Sequence, residues 1–175
     1  ARVLVIGGGQ TAAHLCHIAL HSGAEHVTLC SRRGITRKIF DVDTRMMGDR
    51  RPSVLRQFWG LDAKKRMQFN TTLRQGGSMS SDIYNSLQLL DGESFELMEG
   101  VEVEQGHWLE DQHRIHVRFD NARLESYDYI WLATGGDFDM DLVPVLASLK
   151  AQHPIECVDG LPALQEDLSW APNVP

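Results

Sequence analysis

The chain has 175 residues, 42% of them hydrophobic, which is enough for one domain with a proper core and short for two. It sets 17 Lys+Arg against 24 Asp+Glu for a net charge of −7, and its apolar fraction excludes a disordered polymer, a collagen-like repeat and a coiled coil. No run of 18 apolar residues offers a membrane-spanning helix, and Cys16, Cys30 and Cys157 form no CxxC pair for a zinc knuckle or disulfide scaffold. A reducing, cytoplasmic setting without membrane or nucleic-acid partners is the expectation. The chain opens directly on a strand and ends in a Pro-rich stretch, so it reads as a piece of something longer.

Arg2–Ile6 (RVLVI) is a β-branched run closed by three glycines, the pattern of a buried strand. Over residues 10–22, Ala12, Leu15, Cys16 and Ala19 share one helical face, and Gly23 stands where a left-handed C-cap belongs. A strand over 27–31 (VTLCS) completes one right-handed βαβ unit in about 30 residues. Residues 35–90 are mostly helical. Pro52 opens one helix, 61–74 supply another, Gly76-Gly77 break the chain, and Ser80 or Ser81 caps a third through Leu90. After Gly92 the period drops to two, predicting strands over 95–99, 101–109, 114–119 and 127–133. This order implies an α/β fold with a parallel sheet, helices against it and an antiparallel β-meander on one side. Residues 1–81 carry 13 of the 17 basic residues and 5 acidic ones, while 82–175 are strongly acidic. Such polarity marks an anion site or two differently solvated faces.

Gly7-Gly8-Gly9-Gln10-Thr11-Ala12 is a G-x-G-x-x-A motif between a strand and a helix, the context that gives it meaning. Gly7 permits the tight turn, Gly9 lets a pyrophosphate approach the backbone, and Ala12 lets helix and strand pack closely. Unpaired N–H groups near Gln10 and Thr11 then face the phosphates with the helix dipole behind them. At the end of the second strand an NAD site places Asp or Glu for the ribose hydroxyls. Here the chain reads Ser31-Arg32-Arg33-Gly34-Ile35-Thr36-Arg37-Lys38, and guanidinium forks pair with a 2′-phosphate. NADPH is the expected cofactor.

These motifs resemble the NADPH-domain signature of the flavoproteins with two dinucleotide-binding domains, the FAD-dependent pyridine nucleotide oxidoreductases. SRRGITR matches the thioredoxin-reductase version at Arg32, Arg33 and Arg37 and departs from it by placing Ser31 where that branch has His. The stretch YDYIWLATGG resembles the segment that closes the NADPH domain, with Ala133-Thr134-Gly135 beside the cofactor and the interdomain seam. Disulfide reductases carry a redox CxxC inside this domain, and this chain has none. The helical insertion, GGGQTAAHL and ATGG are similar to the flavin-containing and N-hydroxylating monooxygenases, although Gly136 stands where those more often show an aromatic.

The resemblance implies a Rossmann-like three-layer NAD(P)-binding domain over 1–140, with a helical insertion at about 35–90. Residues 141–175 then lead back to an FAD domain outside the chain. It assigns Gly7, Gly8, Gly9, Gln10, Thr11 and Ala12 to the pyrophosphate, and Ser31, Arg32, Arg33 and Arg37 to the 2′-phosphate. Thr134 and Gly135 fall near the other end of the cofactor. NADPH would reduce FAD, for monooxygenation or plain reduction of a small-molecule substrate held by the FAD domain, and a homo-oligomer is left open. The fragment alone would be inactive. A flavin-free NADPH-dependent reductase and a non-catalytic NADPH-sensing or interaction domain are the alternatives.

Other features carry plainer expectations. His14, His17 and His21 form a helical stripe that reads as solvent-facing rather than metal-binding. Asp137, Asp139 and Asp141 are expected to cap a helix over 142–150, with Pro144 in its first turn. The acidic strands between Glu96 and Glu110 read as one wet sheet face, and Cys16 and Cys30 as buried, unreactive thiols.

Overall fold

The computed structural model describes residues 1–39, 44–74, 76–90, 92–136, 138–171 and 174. The elements run β1 (Arg2–Ile6), α1 (Gln10–His21), β2 (His26–Ser31), β3 (Thr36–Arg37), α2 (Arg51–Trp59), α3 (Ala63–Arg74), β4 (Ser78–Met79) and α4 (Ser81–Gln88). They continue as β5 (Phe95–Glu99), β6 (Val103–Leu109), β7 (Arg114–Phe119), β8 (Leu124–Tyr127), β9 (Tyr129–Leu132), α5 (Pro144–Gln152), β10 (Cys157–Val158) and β11 (Leu161–Pro162). Two units result: Ala1–Asp41 with Gly76–Gly135, and Val42–Gln75 with Gly136–Pro175.

The first unit has three layers. Its centre is a four-stranded sheet of order β5-β2-β1-β9, parallel throughout. Both faces of this sheet are covered, which explains why RVLVI carries no polar alternation. Val3, Val5, Val27 and Leu29 pack under Ala12, Ala13, Cys16 and Ala19 of α1, with Met79 of β4 and Leu87 of α4 in the same cluster. Leu4, Cys30 and Met98 face the other way, onto Val117, Phe119 and Tyr127 of the meander β6-β7-β8. Phe119 and Tyr127 are fully buried there. Side chains of that size each contribute about 1.5–3 kcal/mol through burial.

One predicted strand is two. The run 127–133 divides at Asp128 into β8, paired antiparallel with β7, and β9, paired parallel with β1. Asp128 takes both its backbone and its side chain to Arg2: its N–H donates to Arg2 O at 2.9 Å, and its Oδ2 accepts from Arg2 N–H at 2.6 Å. Hydrophobic alternation runs unbroken through this corner, so periodicity alone cannot show it. The expectation of a single wet acidic face also fails. β5 lies in the buried sheet with Phe95 and Met98 in the core, while β6 belongs to the meander. Glu96 is held by a bidentate Arg123 at 2.5 and 2.7 Å, a bond that ties the β7–β8 turn to β5.

The second unit contains α2, α3, α5 and the β10–β11 pair. Phe58 and Phe69 pack 6.0 Å apart between α2 and α3, and the Arg66 guanidinium lies 5.0 Å from the Trp59 ring. Pro144 occupies the first turn of α5 as expected, but the aspartates do not cap that helix. Asp139 caps the preceding 3-10 turn at Met140–Leu142 by accepting from Asp141 N–H, and Asp141 pairs with Lys150 at 2.7 Å. Asp137 lies outside the described residues.

Candidate functional site

Because β5, β2, β1 and β9 run parallel, their carboxyl ends share one edge, where open α/β sheets take their ligands. Ile6 lies between Cys30 and Leu132 in register, and Ser31 lies opposite Glu99. The edge therefore gathers the glycine turn after β1, the arginine loop after β2, Glu99 at the end of β5, and Ala133-Thr134-Gly135 after β9. Thr134 and Gly135 are exposed there.

Each glycine of the turn meets a different neighbour. A Cβ at Gly7 would sit 2.5 Å from the carbonyl oxygen of Ala133 and 3.1 Å from the Cβ of Ala12. Backbone bonds hold that contact closed: Gly7 N–H donates to Cys30 O at 3.0 Å, and Ala133 N–H donates to Ile6 O at 2.8 Å. A Cβ at Gly8 would meet Ser31 Oγ at 2.7 Å. At Gly9 the nearest atom would be Gly77 Cα at 3.6 Å, an ordinary contact. The protein's own packing thus requires Gly7, where backbone stands in the way, and at Gly8 a Cβ would force the Ser31 hydroxyl to turn aside. Packing does not require Gly9.

Gly9 is the N-cap of α1, and no side chain caps that helix. The N–H groups of Ala12 and Ala13 return to Gly9 O at 3.0 and 3.3 Å, while those of Gln10 and Thr11 have no partner among the described residues. Two open donors at the positive end of a helix dipole are suited to an anion.

The arginine loop is folded by its neighbours. Ser31, 5% exposed, donates its hydroxyl to Arg33 O at 2.7 Å, and Ile35 N–H donates to Glu99 Oε2 at 2.9 Å. Arg32, Arg33 and Arg37 are all exposed, but their surroundings differ. Arg32 makes no hydrogen bond or ion pair among the described residues. Arg33 lies against Gly76, where a Cβ would come 2.8 Å from its Nη2. Arg37 stacks on Tyr84, with its guanidinium carbon 4.9 Å from the ring centre.

Gly76-Gly77, read from the sequence only as a break, belongs to this site. A Cβ at Gly77 would press to 3.3 Å from Gly9 N and Cα, and Gly76 adopts φ +79° beside Arg33. The segment is fixed by a short parallel pairing of β3 with β4, Thr36 opposite Ser78 and Arg37 opposite Met79. Two adjacent glycines just before a capping serine are the sequence signal that could have shown it. Ser80 does cap α4, accepting from Ile83 N–H.

The thiols are as expected. Burial pushes the Cys16 thiol up to about 12; burial, then Asp120 and Glu102, push that of Cys30 to about 11. Both stay protonated near neutral pH. His14 and His21 are exposed on α1, but His17 is half-buried with Nε2 2.9 Å from Ser86 Oγ of α4. Burial, followed by the charges of His21 and His14, lowers its pKa.

A parallel sheet with a glycine turn after its first strand, a helix bearing open amide donors and a meander on the opposite face define a Rossmann-type α/β domain. The family model described as L-lysine 6-monooxygenase/L-ornithine 5-monooxygenase matches residues 1–138, and the chain belongs to that family. No curated protein sequence matches it. Among solved structures it is similar to the ornithine N-hydroxylase KtzI of Kutzneria sp. 744, holding FADred, NADP+ and L-orn. That match has TM-score 0.67 at 17% identity, over 95% of this chain and 42% of that one. It is also similar to L-lysine 6-monooxygenase from Pseudomonas syringae, with TM-score 0.65 at 18% identity over 95% and 42%. Ornithine hydroxylase (PvdA) from Pseudomonas aeruginosa gives TM-score 0.57 at 16% identity over 77% and 35%. The chain spans between 35% and 42% of the length of these structures.

Proposed function

We propose that residues 1–140 are the NADPH-binding domain of an FAD-dependent N-hydroxylating monooxygenase acting on the side-chain amine of a lysine- or ornithine-like substrate. The observation that carries this is the pairing, on one sheet edge, of open N–H donors at Gln10 and Thr11 with exposed guanidinium groups after β2. Gly9 supports the fit, since packing leaves room for a Cβ there and an approaching pyrophosphate would not. When bound, NADPH supplies the hydride, and FAD is the acceptor and the oxygen-activating group. The sequence holds one G-x-G-x-x-A motif, so FAD belongs to the rest of the parent protein, as does the substrate.

This chain's own residues bind and orient. Gln10 and Thr11 N–H groups hold the pyrophosphate, with Gly7, Gly8 and Ala12 shaping the turn. Arg32, Arg33 and Arg37 take the 2′-phosphate on a loop folded by Ser31, and Thr134 and Gly135 flank the cofactor's other end. Hydride delivery needs placement rather than proton transfer, so no acid or base is assigned here. Three free thiols support a reducing compartment, the cytoplasm.

Calorimetric titration of NADPH and NADH into the chain, with an Arg32→Ala/Arg33→Ala variant alongside, tests the proposal. Each charge-assisted phosphate bond is worth about 1.5–3 kcal/mol, so wild type should prefer NADPH at least about tenfold. The variant, left with Arg37 alone, should lose most of that preference. Equal affinities for the two nucleotides in wild type would overturn the assignment.

A further inference from the structure

The three arginines of the loop are not equivalent, because one of them is mounted. Arg37 lies over the face of Tyr84 at 4.9 Å. Tyr84 sits on α4, and its hydroxyl donates to Glu99 Oε1 at 3.2 Å. The second oxygen of the same carboxylate accepts from Ile35 N–H at 2.9 Å, two residues before Arg37. Glu99 in turn is fixed at the carboxyl end of β5, opposite Ser31 in register. A single carboxylate on the rigid sheet therefore holds both the loop backbone and the ring on which the guanidinium rests.

We infer that Tyr84, seated on Glu99, is a positioning residue that sets Arg37 for the 2′-phosphate and so contributes to selection of NADPH over NADH; this rests on the NADPH proposal above. Stacking occupies the guanidinium face and leaves its edge, where all five N–H donors lie, free for a phosphate. A long exposed arginine otherwise loses rotamer freedom when it binds, and a ring beneath it removes part of that cost in advance. Burial, then the adjacent Glu99 carboxylate, push the Tyr84 phenol up, so it stays a neutral donor to Glu99 through the physiological range. The motif in the sequence shows only Arg37. Its support comes from residues 84 and 99, on two elements that no local pattern connects to it.

Titrations of NADPH and NADH into the chain carrying Tyr84→Leu, Tyr84→Phe, Glu99→Ala or Glu99→Gln test this, with circular dichroism to confirm folding. The readout is the ratio of the two affinities, which general damage to the fold does not shift. Tyr84→Leu removes the ring and should lower the NADPH:NADH ratio about two- to fivefold, with NADH affinity unchanged. Glu99→Ala should lower it in the same direction from a different element. Tyr84→Phe keeps the face but cuts its bond to Glu99, so its ratio should fall between those of wild type and Tyr84→Leu. Glu99→Gln keeps an acceptor for Ile35 N–H and should stay within about twofold of wild type. A wild-type ratio of ten or more that survives both Tyr84→Leu and Glu99→Ala overturns the inference and leaves the NADPH assignment standing. A wild-type ratio near one removes both.

Discussion

A methyl group at Gly7 has no space, since the carbonyl oxygen of Ala133 would lie 2.5 Å away, whereas one at Gly9 meets only an ordinary contact. Two alanine substitutions two residues apart should therefore fail in opposite ways. Gly7→Ala is expected to cost about 2–3 kcal/mol of stability, because backbone must move at a position with φ +157°. Gly9→Ala should cost about 1 kcal/mol or less, the usual penalty for alanine at an N-cap. Its effect should fall on NADPH, with affinity down at least about tenfold as the pyrophosphate loses its approach to the backbone. Thermal melts and titrations on the same two proteins separate these outcomes. Equal destabilisation of both would contradict the geometry. The motif already separates Gly7, for the turn, from Gly9, for the ligand; what it does not show is the wall behind Gly7, because Ala133 lies too far along the chain for a local pattern to include.

Among elements, the corner between β8 and β9 joins the meander to the parallel sheet. Asp128 makes that corner by accepting from Arg2 N–H at 2.6 Å and from Arg114 Nε at 3.0 Å. Replacing it with Ala leaves a backbone donor of β1 unpaired and should cost about 1–3 kcal/mol, read as a lower urea midpoint at pH 7. The Arg2 hydrogen bond, then the Arg114 charge, hold the Asp128 carboxyl below its ordinary value of 3.8. A depressed carboxylate adds stability that is complete above the unfolded value and lost as pH falls through the folded one. The gap between wild type and Asp128→Ala should accordingly shrink below about pH 3.8, and remain constant from pH 5 to 7. The βαβ start, α4 with its Ser80 cap and most of the meander were legible because each follows from local period, cap or glycine. The corner was not, because it depends on a residue 126 positions away. Likewise β3 and β4, two residues each, pair across the insertion and leave no periodic trace.

At the scale of the molecule, the three-layer order follows from β1 and β2 being apolar on both faces, which demands a cover on each side. The chain belongs to the family of L-lysine 6-monooxygenase/L-ornithine 5-monooxygenase and spans 42% of the length of two similar structures. On the proposal above, FAD and substrate belong to parts outside these 175 residues. Purified alone, the 175-residue chain should be colourless, without flavin absorbance, and should not oxidise NADPH. Stoichiometric bound flavin would show that one glycine turn suffices, contrary to the proposal. Among the described residues no helix is long and apolar enough to cross a membrane. The acidic second half also finds an internal use: Glu96, Glu99 and Glu125 each anchor an arginine loop, a turn or a strand of the first unit. Its charge is thus partly structural, a role invisible when acidic residues are only counted.

The contact between Gly7 and Ala133 also carries a timetable. The entire glycine motif lies in the first 12 residues, yet the wall that shapes it, Ala133, comes more than 120 residues later, directly after β9, the last strand of the sheet in chain order. Pairings of such long sequence separation close late and slowly in folding. A nascent or truncated chain therefore owns the motif without owning the turn. A version ending at Asp128 should keep GGGQTA and SRRGITR intact and still take up no NADPH by titration, so competence for the nucleotide becomes a report that synthesis has passed the closing strand.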